Sequence, residues 1–143
     1  MTTSTPSPTD LLRSARTIAV YGMSDRPYRV SYSIGHQLMS AGYTVYPVNP
    51  TVAMVDGEPT YPTIASVPEP VDIVNVFRQP RFALDVVNDA IAAGAKAIWF
   101  QLGTSREDAI TAAREAGLAV VVERCIAVDL SIHGIRCCAE KEG

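Results

Sequence analysis

The chain has 143 residues, enough for one domain that buries about two thirds of its unfolded surface without disulfide bonds. Its 12 basic and 15 acidic residues give a formal net charge of −3, with no basic run, which argues against nucleic acid as a partner. No apolar stretch approaches the roughly 20 residues of a membrane span, and the three cysteines form no C-x-x-C pair, so we expect a soluble protein of the reducing cytoplasm without a membrane partner.

The N-terminal part predicts a tail, a short helix and then a strand. Residues 1–9 are rich in Ser, Thr and Pro and offer little to bury, so we expect a disordered tail. Asp10 is predicted to cap a short helix that leads into the first strand. That strand, at 18–21, stops at Gly22, and apolar residues then recur at helical spacing from Val30 onward, which predicts a strand, a polar turn and a helix.

Ala-Gly pairs mark the helix ends of the later chain. They occur at 41–42, 93–94 and 116–117, and each follows an amphipathic stretch and precedes an apolar run. Because a glycine just past a helix supplies the left-handed residue that ends it, we expect three helix-to-strand units. The further strands are predicted at residues 43–48, 72–77, 97–100 and 119–122.

Two of the helices carry start signals. Pro80 is well placed for the first turn of the helix that precedes the second of these joints. Thr104 and Glu107 have the spacing of a capping box, which predicts the start of the last long helix.

Strands that alternate with helices predict an α/β fold, a Rossmann-like, doubly wound, mainly parallel five-stranded sheet with helices on both faces. The crossover at 47–70 is rich in proline and should be mostly loop, with a turn of helix near 64–67. Beyond the last strand, residues 126–135 predict a short helix or an edge segment. Residues 137–143 look like a frayed tail, which leaves 10–136 as a single domain.

The turn after the first strand is the strongest candidate for a ligand site. In an open α/β sheet, the helix N-terminus at this point offers unpaired N–H groups and partial positive charge, which suit a phosphate. Gly22 allows close approach of the backbone, Ser24 brings a hydroxyl, and Arg26 and Arg29 bring full charge. The G-x-G-x-x-G fingerprint is absent, and an ordinary connection with solvated arginines remains an alternative.

Polar or turn-forming groups follow every predicted strand, at the edge where ligands bind in such sheets. After the second strand, Asn49 lies between two prolines where an NAD site would carry an acidic residue, which disfavours NAD. This turn suits packing against adenine, or a stiff loop with no ligand. Neither His36 nor His133 has the partners of a catalytic triad, and no acid–base pair was found, so we expect no catalytic activity.

A series of short motifs occupies these strand ends. It comprises Gly22-Met23-Ser24, Arg26-Pro27, Arg29-Val30-Ser31, Pro47-Val48-Asn49-Pro50, Val76-Phe77-Arg78, Trp99-Phe100-Gln101-Leu102-Gly103 and Cys125, and Gly42-Tyr43 and Asp72-Ile73-Val74 at strand starts belong to it as well. In order and spacing the series resembles the small stand-alone CoA-binding proteins, a family similar to the CoA-binding N-terminal domain of the succinyl-CoA synthetase α subunit. The resemblance covers residues 16–128.

The resemblance implies a domain that binds coenzyme A through its adenosine and phosphate end. Because the sequence offers no acid–base pair, we expect non-catalytic binding of coenzyme A or an acyl-CoA. Carried over by position, the pyrophosphate would contact Gly22, Ser24, Arg26 and Arg29. The adenosine would face Val48, Asn49 and Pro50, with Phe77 and Arg78 closing the pocket and Gln101 and Gly103 on its far side. Met23, Ser31 and Cys125 complete the expected cofactor-binding set, which contains no catalytic residue and no metal ligand.

Residues 51–54 depart from the family pattern. Many members have a basic residue here, a natural partner for the ribose 3′-phosphate, whereas Thr-Val-Ala-Met contains none. We expect Arg78, or one of the turn arginines, to serve instead. Cys125 is expected near the crevice mouth, where its thiolate could form a mixed disulfide with the CoA thiol, favoured by Arg124; the alternative is a small buried side chain.

Two other functions remain open at this point. Ser24, Arg26 and Arg29 could accept a 2′-phosphate, which would make the protein an NADP-binding enzyme or sensor. The chain could also be a CoA-binding subunit that completes a larger acyl-CoA ligase. A homodimer is a further expectation, because small α/β domains with a free edge strand often dimerise.

Overall fold

The computed structural model describes residues 6–137. In chain order its elements are α1 (Pro8–Ser14), β1 (Thr17–Tyr21), α2 (Val30–Ser40), β2 (Thr44–Val48), β3 (Met54–Val55), β4 (Glu58–Pro59), a 3-10 turn (Ile64–Ser66), β5 (Ile73–Val76), a second 3-10 turn (Pro80–Phe82), α3 (Ala83–Ala92), β6 (Ala97–Phe100), α4 (Glu107–Glu115), β7 (Ala119–Val122) and α5 (Ile126–Ile132).

Five parallel strands form the central sheet in the order β2-β1-β5-β6-β7. Helices α1, α2 and α5 cover one face, and α3, α4 and the first 3-10 turn cover the other. The predicted fold class is therefore confirmed. The strand order reverses between β1 and β5, and in doubly wound sheets the crevice at such a reversal is where ligands bind.

The central strands are buried on both faces, as their continuous apolar runs predict. Every residue of β1, β5 and β6 is buried. Adjacent strand residues point to opposite faces, so Trp99 packs beneath α1, α2 and α5 while Phe100 packs beneath α3 and α4. Both side chains are fully buried, and they are the two largest of the fully buried side chains. Within residues 6–137, no helix has the length and apolar character needed to cross a membrane.

The three glycine joints are confirmed. Gly42, Gly94 and Gly117 follow the ends of α2, α3 and α4, and each has a positive φ, which terminates a helix at little cost only in glycine. The segment with an open alternative, 126–135, contains the short helix α5 rather than an edge strand.

The two chain ends differ from the prediction. Helix α1 begins at Pro8, and Ser7 is its cap: the Asp10 N–H donates to Ser7 Oγ (3.1 Å), and the Ser7 N–H donates to the Asp10 carboxylate (3.2 Å). The predicted tail at 1–9 is thus too long, and Asp10 is the third helical residue rather than the cap. At the other end the Cys137 N–H donates to the Ala41 carbonyl (2.7 Å), so Cys137 is packed rather than frayed. Residues 1–5 and 138–143 lie outside the described part of the chain.

The predicted start signals of two helices are wrong in detail. Thr104 does not cap α4; its hydroxyl donates to the Gln101 carbonyl (2.7 Å) and closes the turn after β6. Helix α4 begins three residues later, at Glu107, and Arg106 at its cap position makes no side-chain capping bond. Pro80 opens the second 3-10 turn, and the α-helix proper starts at Ala83.

The crossover between β2 and β5 contains a small antiparallel hairpin, β3–β4, that was not predicted. Asp56 and Gly57 form its turn with φ of 55° and 81°, the conformation of a two-residue Asp-Gly hairpin turn. The Asp-Gly pair is the feature of the sequence that indicates this hairpin. The turn of helix expected near 64–67 is confirmed as the first 3-10 turn, and most of the remaining crossover is loop.

Candidate functional site

Gly22 brings three strand ends close together. Its N–H donates to the Val48 carbonyl (2.6 Å), which joins the ends of β1 and β2. Its φ is 92°, and a Cβ at this position would meet the Phe77 carbonyl carbon at 3.3 Å and the Arg78 Cδ at 3.4 Å. Only glycine combines this conformation with so close an approach. The turn that starts here, residues 22–29, therefore lies directly over the switch point of the sheet.

Two serines fold this turn back onto α2. The Ser24 N–H donates to Ser31 Oγ (2.9 Å), and the Arg26 N–H donates to Ser24 Oγ (3.0 Å). Ser31 is buried within the first turn of α2, so the turn is anchored to the helix by side chains rather than by strand pairing. Ser24 and Ser31 were both predicted at the site, and the structure brings them together.

Helix α2 presents its N-terminus to the turn. It has 11 residues, and Arg29 at its cap position makes no side-chain capping bond. The first-turn N–H groups and the positive end of the helix dipole are therefore left for an anion. Arg26 and Arg29 are both exposed beside this terminus, and Arg26 Nη1 donates to the Tyr28 hydroxyl (3.2 Å). The arrangement concentrates positive charge at one point.

A cleft of about 630 Å³ opens in front of the helix terminus. It is lined by Gly22, Ser24, Tyr28, Arg29, Val30, Ser31, Asn49, Val52 and Phe77. A second depression of about 490 Å³ adjoins it, since Ser24, Arg29 and Val52 line both, and it extends to Arg26 and to the residues at 51–54. We refer to the two together as the turn cleft. Its size suits a nucleotide-sized ligand.

Asn49 connects the end of β2 to the turn. Its Nδ2 donates to the Met23 carbonyl (2.9 Å), and its Oδ1 accepts from the Thr51 N–H and hydroxyl (both 2.9 Å). Asn49 lines the cleft as predicted, but its polar atoms bond to the protein, so it shapes the wall. The Met23 side chain is fully buried against Gly35, so Met23 can meet a ligand only through its backbone. Pro50 is exposed beside Asn49.

Phe77 and Arg78, the two residues after β5, have side chains in different surroundings. Phe77 lines the cleft, as predicted. Arg78 places its guanidinium over the Phe82 ring, 4.2 Å from the centroid. The uncharged stretch 51–54, for which Arg78 was expected to compensate, instead shares a depression with Arg26 and Arg29.

Two predicted contact residues are buried away from the cleft. Gln101 is 5% exposed, and its Oε1 accepts from Asn75 Nδ2 (3.0 Å) and from the Ile126 N–H (2.8 Å), which ties together β5, β6 and α5. The side chain of Val48 is fully buried in the core on the α3 and α4 face. The structure therefore places the side chains of Gln101 and Val48 away from the turn cleft, and their expected contacts with a ligand stay predictions.

Gly103 is also bonded within the protein. Its N–H donates to the Glu123 carboxylate (3.0 Å), which accepts as well from Ser105 Oγ (2.8 Å). These bonds, that from Gly103 first, hold the pKa of Glu123 below its usual value. The turn after β6 is thereby closed against the turn after β7, and Gly103 does not line the turn cleft.

Cys125 is half-buried just before α5, where it lines a groove between α2 and α5 together with Arg29 and Val30. It thus lies near the cleft, as expected. Arg124, however, is paired with the buried carboxylate of Asp129 (Nε to Oδ2, 2.8 Å), and its carbonyl accepts from the Trp99 indole N–H (2.9 Å). The predicted support of Arg124 for a Cys125 thiolate is therefore offset by a carboxylate.

A cluster of Tyr32, His36 and Asp56 was not predicted. Asp56 accepts from the Tyr32 hydroxyl (2.6 Å) and contacts His36 Nε2 (2.6 Å). The Tyr32 bond lowers the pKa of Asp56; burial opposes this, and His36 adds to it. Tyr32 and His36 are four residues apart on one face of α2, and this spacing is the feature of the sequence that indicates that their side chains lie side by side. Their partner Asp56 lies 20 residues beyond His36, so the sequence does not indicate the cluster. The cluster fastens the hairpin to α2.

No metal site accompanies the turn cleft. Across residues 6–137, three or more His, Cys, Asp or Glu side chains are nowhere grouped so that they could hold a metal ion. The turn cleft thus combines backbone N–H groups, hydroxyls, two arginines and apolar walls with one carboxylate, that of Asp25, and the excess of positive charge suits a phosphorylated organic ligand.

The comparisons with known proteins agree with this geometry. Residues 16–131 match the family model described as CoA binding domain. The protein YneT of Bacillus subtilis (strain 168) is 34% identical over 119 residues, which cover 83% of this chain and 88% of YneT. A solved structure of a Pyrococcus horikoshii OT3 protein has a TM-score of 0.84 and 33% identity, and the match covers 92% of this chain and 98% of that one.

One larger relative carries the same domain. The dinucleotide-forming acetyl-coenzyme A synthetase 1 of Ca. Korarchaeum cryptofilum has a TM-score of 0.65 and 30% identity, over 77% of this chain and 26% of its own. Family membership supports CoA binding in general. With the family model matched over residues 16–131, the chain belongs to the CoA binding domain family.

Proposed function

We propose that this protein binds coenzyme A, free or acylated, through the adenosine and phosphate end, and that it does so without turnover. The observation that carries the proposal is the turn cleft itself: an uncapped helix N-terminus, two exposed arginines and a glycine that permits close approach all meet at the switch point of the sheet. The family match supports coenzyme A as the ligand class.

Each part of the ligand has a matching part of the cleft. The pyrophosphate sits at the start of α2, where first-turn N–H groups and Arg29 supply charge-assisted hydrogen bonds. The 3′-phosphate lies in the second depression, beside Arg26, which takes the place of the basic residue missing at 51–54. The adenine packs between the apolar side chains of Val52 and Phe77.

We infer that the turn cleft does not perform acid–base catalysis. Asp25 lines the second depression of the turn cleft, but no histidine or thiol side chain lines either depression to form an acid–base pair with it. His36 and Asp56 are engaged with each other and with Tyr32. We therefore propose a binding module rather than an enzyme.

Calorimetric titration with coenzyme A, dephospho-CoA and NADP tests the proposal. Replacing Arg29 by Ala should weaken coenzyme A and dephospho-CoA equally, by roughly ten- to a hundredfold, because a charge-assisted contact to the pyrophosphate is lost. Replacing Arg26 by Ala should weaken coenzyme A more than dephospho-CoA. Arg13→Ala is the matched control, since Arg13 is exposed on α1, away from the cleft. Tighter binding of NADP than of coenzyme A would overturn the proposal.

A second candidate is a CoA-binding subunit of a larger acyl-CoA ligase. The likeness to one quarter of the Korarchaeum synthetase favours it, because there the same domain forms part of a longer chain. Purification of the untreated protein from its native source, followed by mass spectrometry of stoichiometric partners, tests this candidate. A partner that carries a nucleotide-dependent ligase domain would support it, and a protein that purifies alone would count against it.

A further inference from the structure

A continuous groove leaves the turn cleft and runs between α2 and α5. Its upper half, about 620 Å³, shares Tyr28, Arg29 and Val30 with the cleft. Its lower half, about 720 Å³, shares Ser33 and other residues with the upper half and ends near the end of α2. A ligand bound at the start of α2 therefore has an open path along the helix, which at 11 residues is about 16 Å long.

The side chains that the two halves of the groove share are uncharged, whereas Tyr32, His36 and Arg136 line the lower half alone. Ser33 and Gln37 of α2 face Ala127 and Ser131 of α5, and these four line both halves. Gln37 Nε2 donates to Ser33 Oγ (3.2 Å), and the remaining donors and acceptors of Ser33, Gln37 and Ser131 can bond to neutral polar groups of a ligand. Arg29 lines the upper end of the groove, and Arg136 lines its lower half.

The lower half is apolar at its base. Leu130 and Ile135, both buried members of the core, line it, and the rim carries Ser40 and Ala41. In the upper half Val30 and Val128 are 65% and 51% exposed, although both are large apolar side chains. Both halves thus combine neutral polar groups with apolar surface, and an acylated pantetheine arm carries both kinds of group.

We infer that this groove receives the acyl-pantetheine arm of the ligand, so that the protein prefers an acyl-CoA with an apolar chain to free coenzyme A. The inference rests on the proposed function, because the arm enters the groove from a ligand that is anchored at the start of α2. The pantetheine amides lie in the upper half against Ser33, Gln37 and Ser131. The acyl chain lies in the lower half against Leu130 and Ile135.

Titration of the wild type with coenzyme A, acetyl-CoA, butyryl-CoA and octanoyl-CoA tests the inference. Affinity should rise along this series, by up to about fourfold for each methylene that becomes buried. If none of the four binds, the proposed function itself fails. If all four bind with the same affinity, the proposed function stands and the inference is overturned.

Two substitutions by tryptophan test where the acyl chain of the ligand lies. Ser40 lines only the lower half, so Ser40→Trp should reduce octanoyl-CoA affinity to within about twofold of free coenzyme A. Ser131 lines both halves, so Ser131→Trp should also weaken free coenzyme A. Met39→Trp is the control, because Met39 is exposed on α2 and lines neither half. A preference for octanoyl-CoA that survives Ser40→Trp would overturn the inference in favour of another ligand path. Self-association of the wild type that either substitution abolishes would overturn it in favour of a second copy of the protein in the groove.

Discussion

The two ends of the sheet's carboxyl edge look alike in sequence and differ in structure. At the β1 and β2 end, the turn 22–29 leaves a helix terminus and two arginines directed at an open cleft. At the β6 and β7 end, the polar groups satisfy one another, with Gln101, Glu123 and Arg124 each bonded to another part of the protein. Within residues 6–137, the two arginines of the β1 and β2 end form no ion pair with a carboxylate, whereas Arg124 at the other end pairs with Asp129, so the charge left for a ligand lies at the first end.

Gln101→Ala should give the largest loss of stability, because it breaks the region that we regard as structural. It leaves two buried groups, Asn75 Nδ2 and the Ile126 N–H, without their acceptor, and each unsatisfied group costs about 1–3 kcal/mol. We expect the free energy of unfolding, measured by urea denaturation, to fall by about 2–6 kcal/mol. The coenzyme A affinity of the folded fraction should change by less than about threefold, on the scale where a tenfold change is 1.4 kcal/mol.

The control for this substitution is Leu102→Ala, the neighbouring residue, whose side chain is 65% exposed. It should leave both stability and affinity nearly unchanged. A Gln101→Ala protein that unfolds like the wild type but no longer binds coenzyme A would reverse the roles assigned to the two ends of the edge.

Gly22→Ala should break the ligand-facing end with a smaller effect on stability. The new Cβ would press on the Phe77 backbone at 3.3 Å in a conformation that L-residues rarely adopt, which costs about 1–3 kcal/mol. Gly57→Ala is matched, since Gly57 also has positive φ, but a Cβ there meets no atom within 4 Å. Calorimetry should show a loss of coenzyme A affinity for Gly22→Ala alone, and equal losses in the two variants would contradict the account.

The sequence predicts the β1 and β2 end of the carboxyl edge better than the β6 and β7 end, and the reason is physical. The strands, the Ala-Gly joints and the turn after β1 are local features that short windows of sequence contain. The partners of Gln101 lie 26 and 25 residues away, and those of Asp56 lie 20 and 24 residues away, so no local pattern reveals them. The misplaced capping box has the same origin, because Thr104 bonds to the turn after β6 instead of to α4.

The hairpin contact sharpens the comparison, and its effect on stability should be the smallest. The pKa of Asp56 is lower in the folded protein than its ordinary value of 3.8, first because of the Tyr32 bond. Its stabilising contribution is therefore complete above that ordinary value and is lost as the pH falls through the lowered pKa. Because Asp56 is largely exposed, we expect Asp56→Asn to cost only about 0.5 kcal/mol or less.

Urea denaturation at pH 7 and at pH 3 measures this contribution. The difference between wild type and Asp56→Asn should shrink at the lower pH, and Asp25→Asn, an exposed aspartate of the turn, is the control. A difference that grows on acidification would contradict the assigned sign.

Amide chemical-shift mapping with coenzyme A tests the central claim most directly, because it reports on both ends of the edge in one titration. We expect the large shifts to fall on the turn 22–29, on the first turn of α2 and on residues 49–53, while Gly103, Ser105 and Glu123 stay unperturbed. Shifts centred instead on Gly103 and Glu123, or the absence of any shift at the start of α2, would contradict the account.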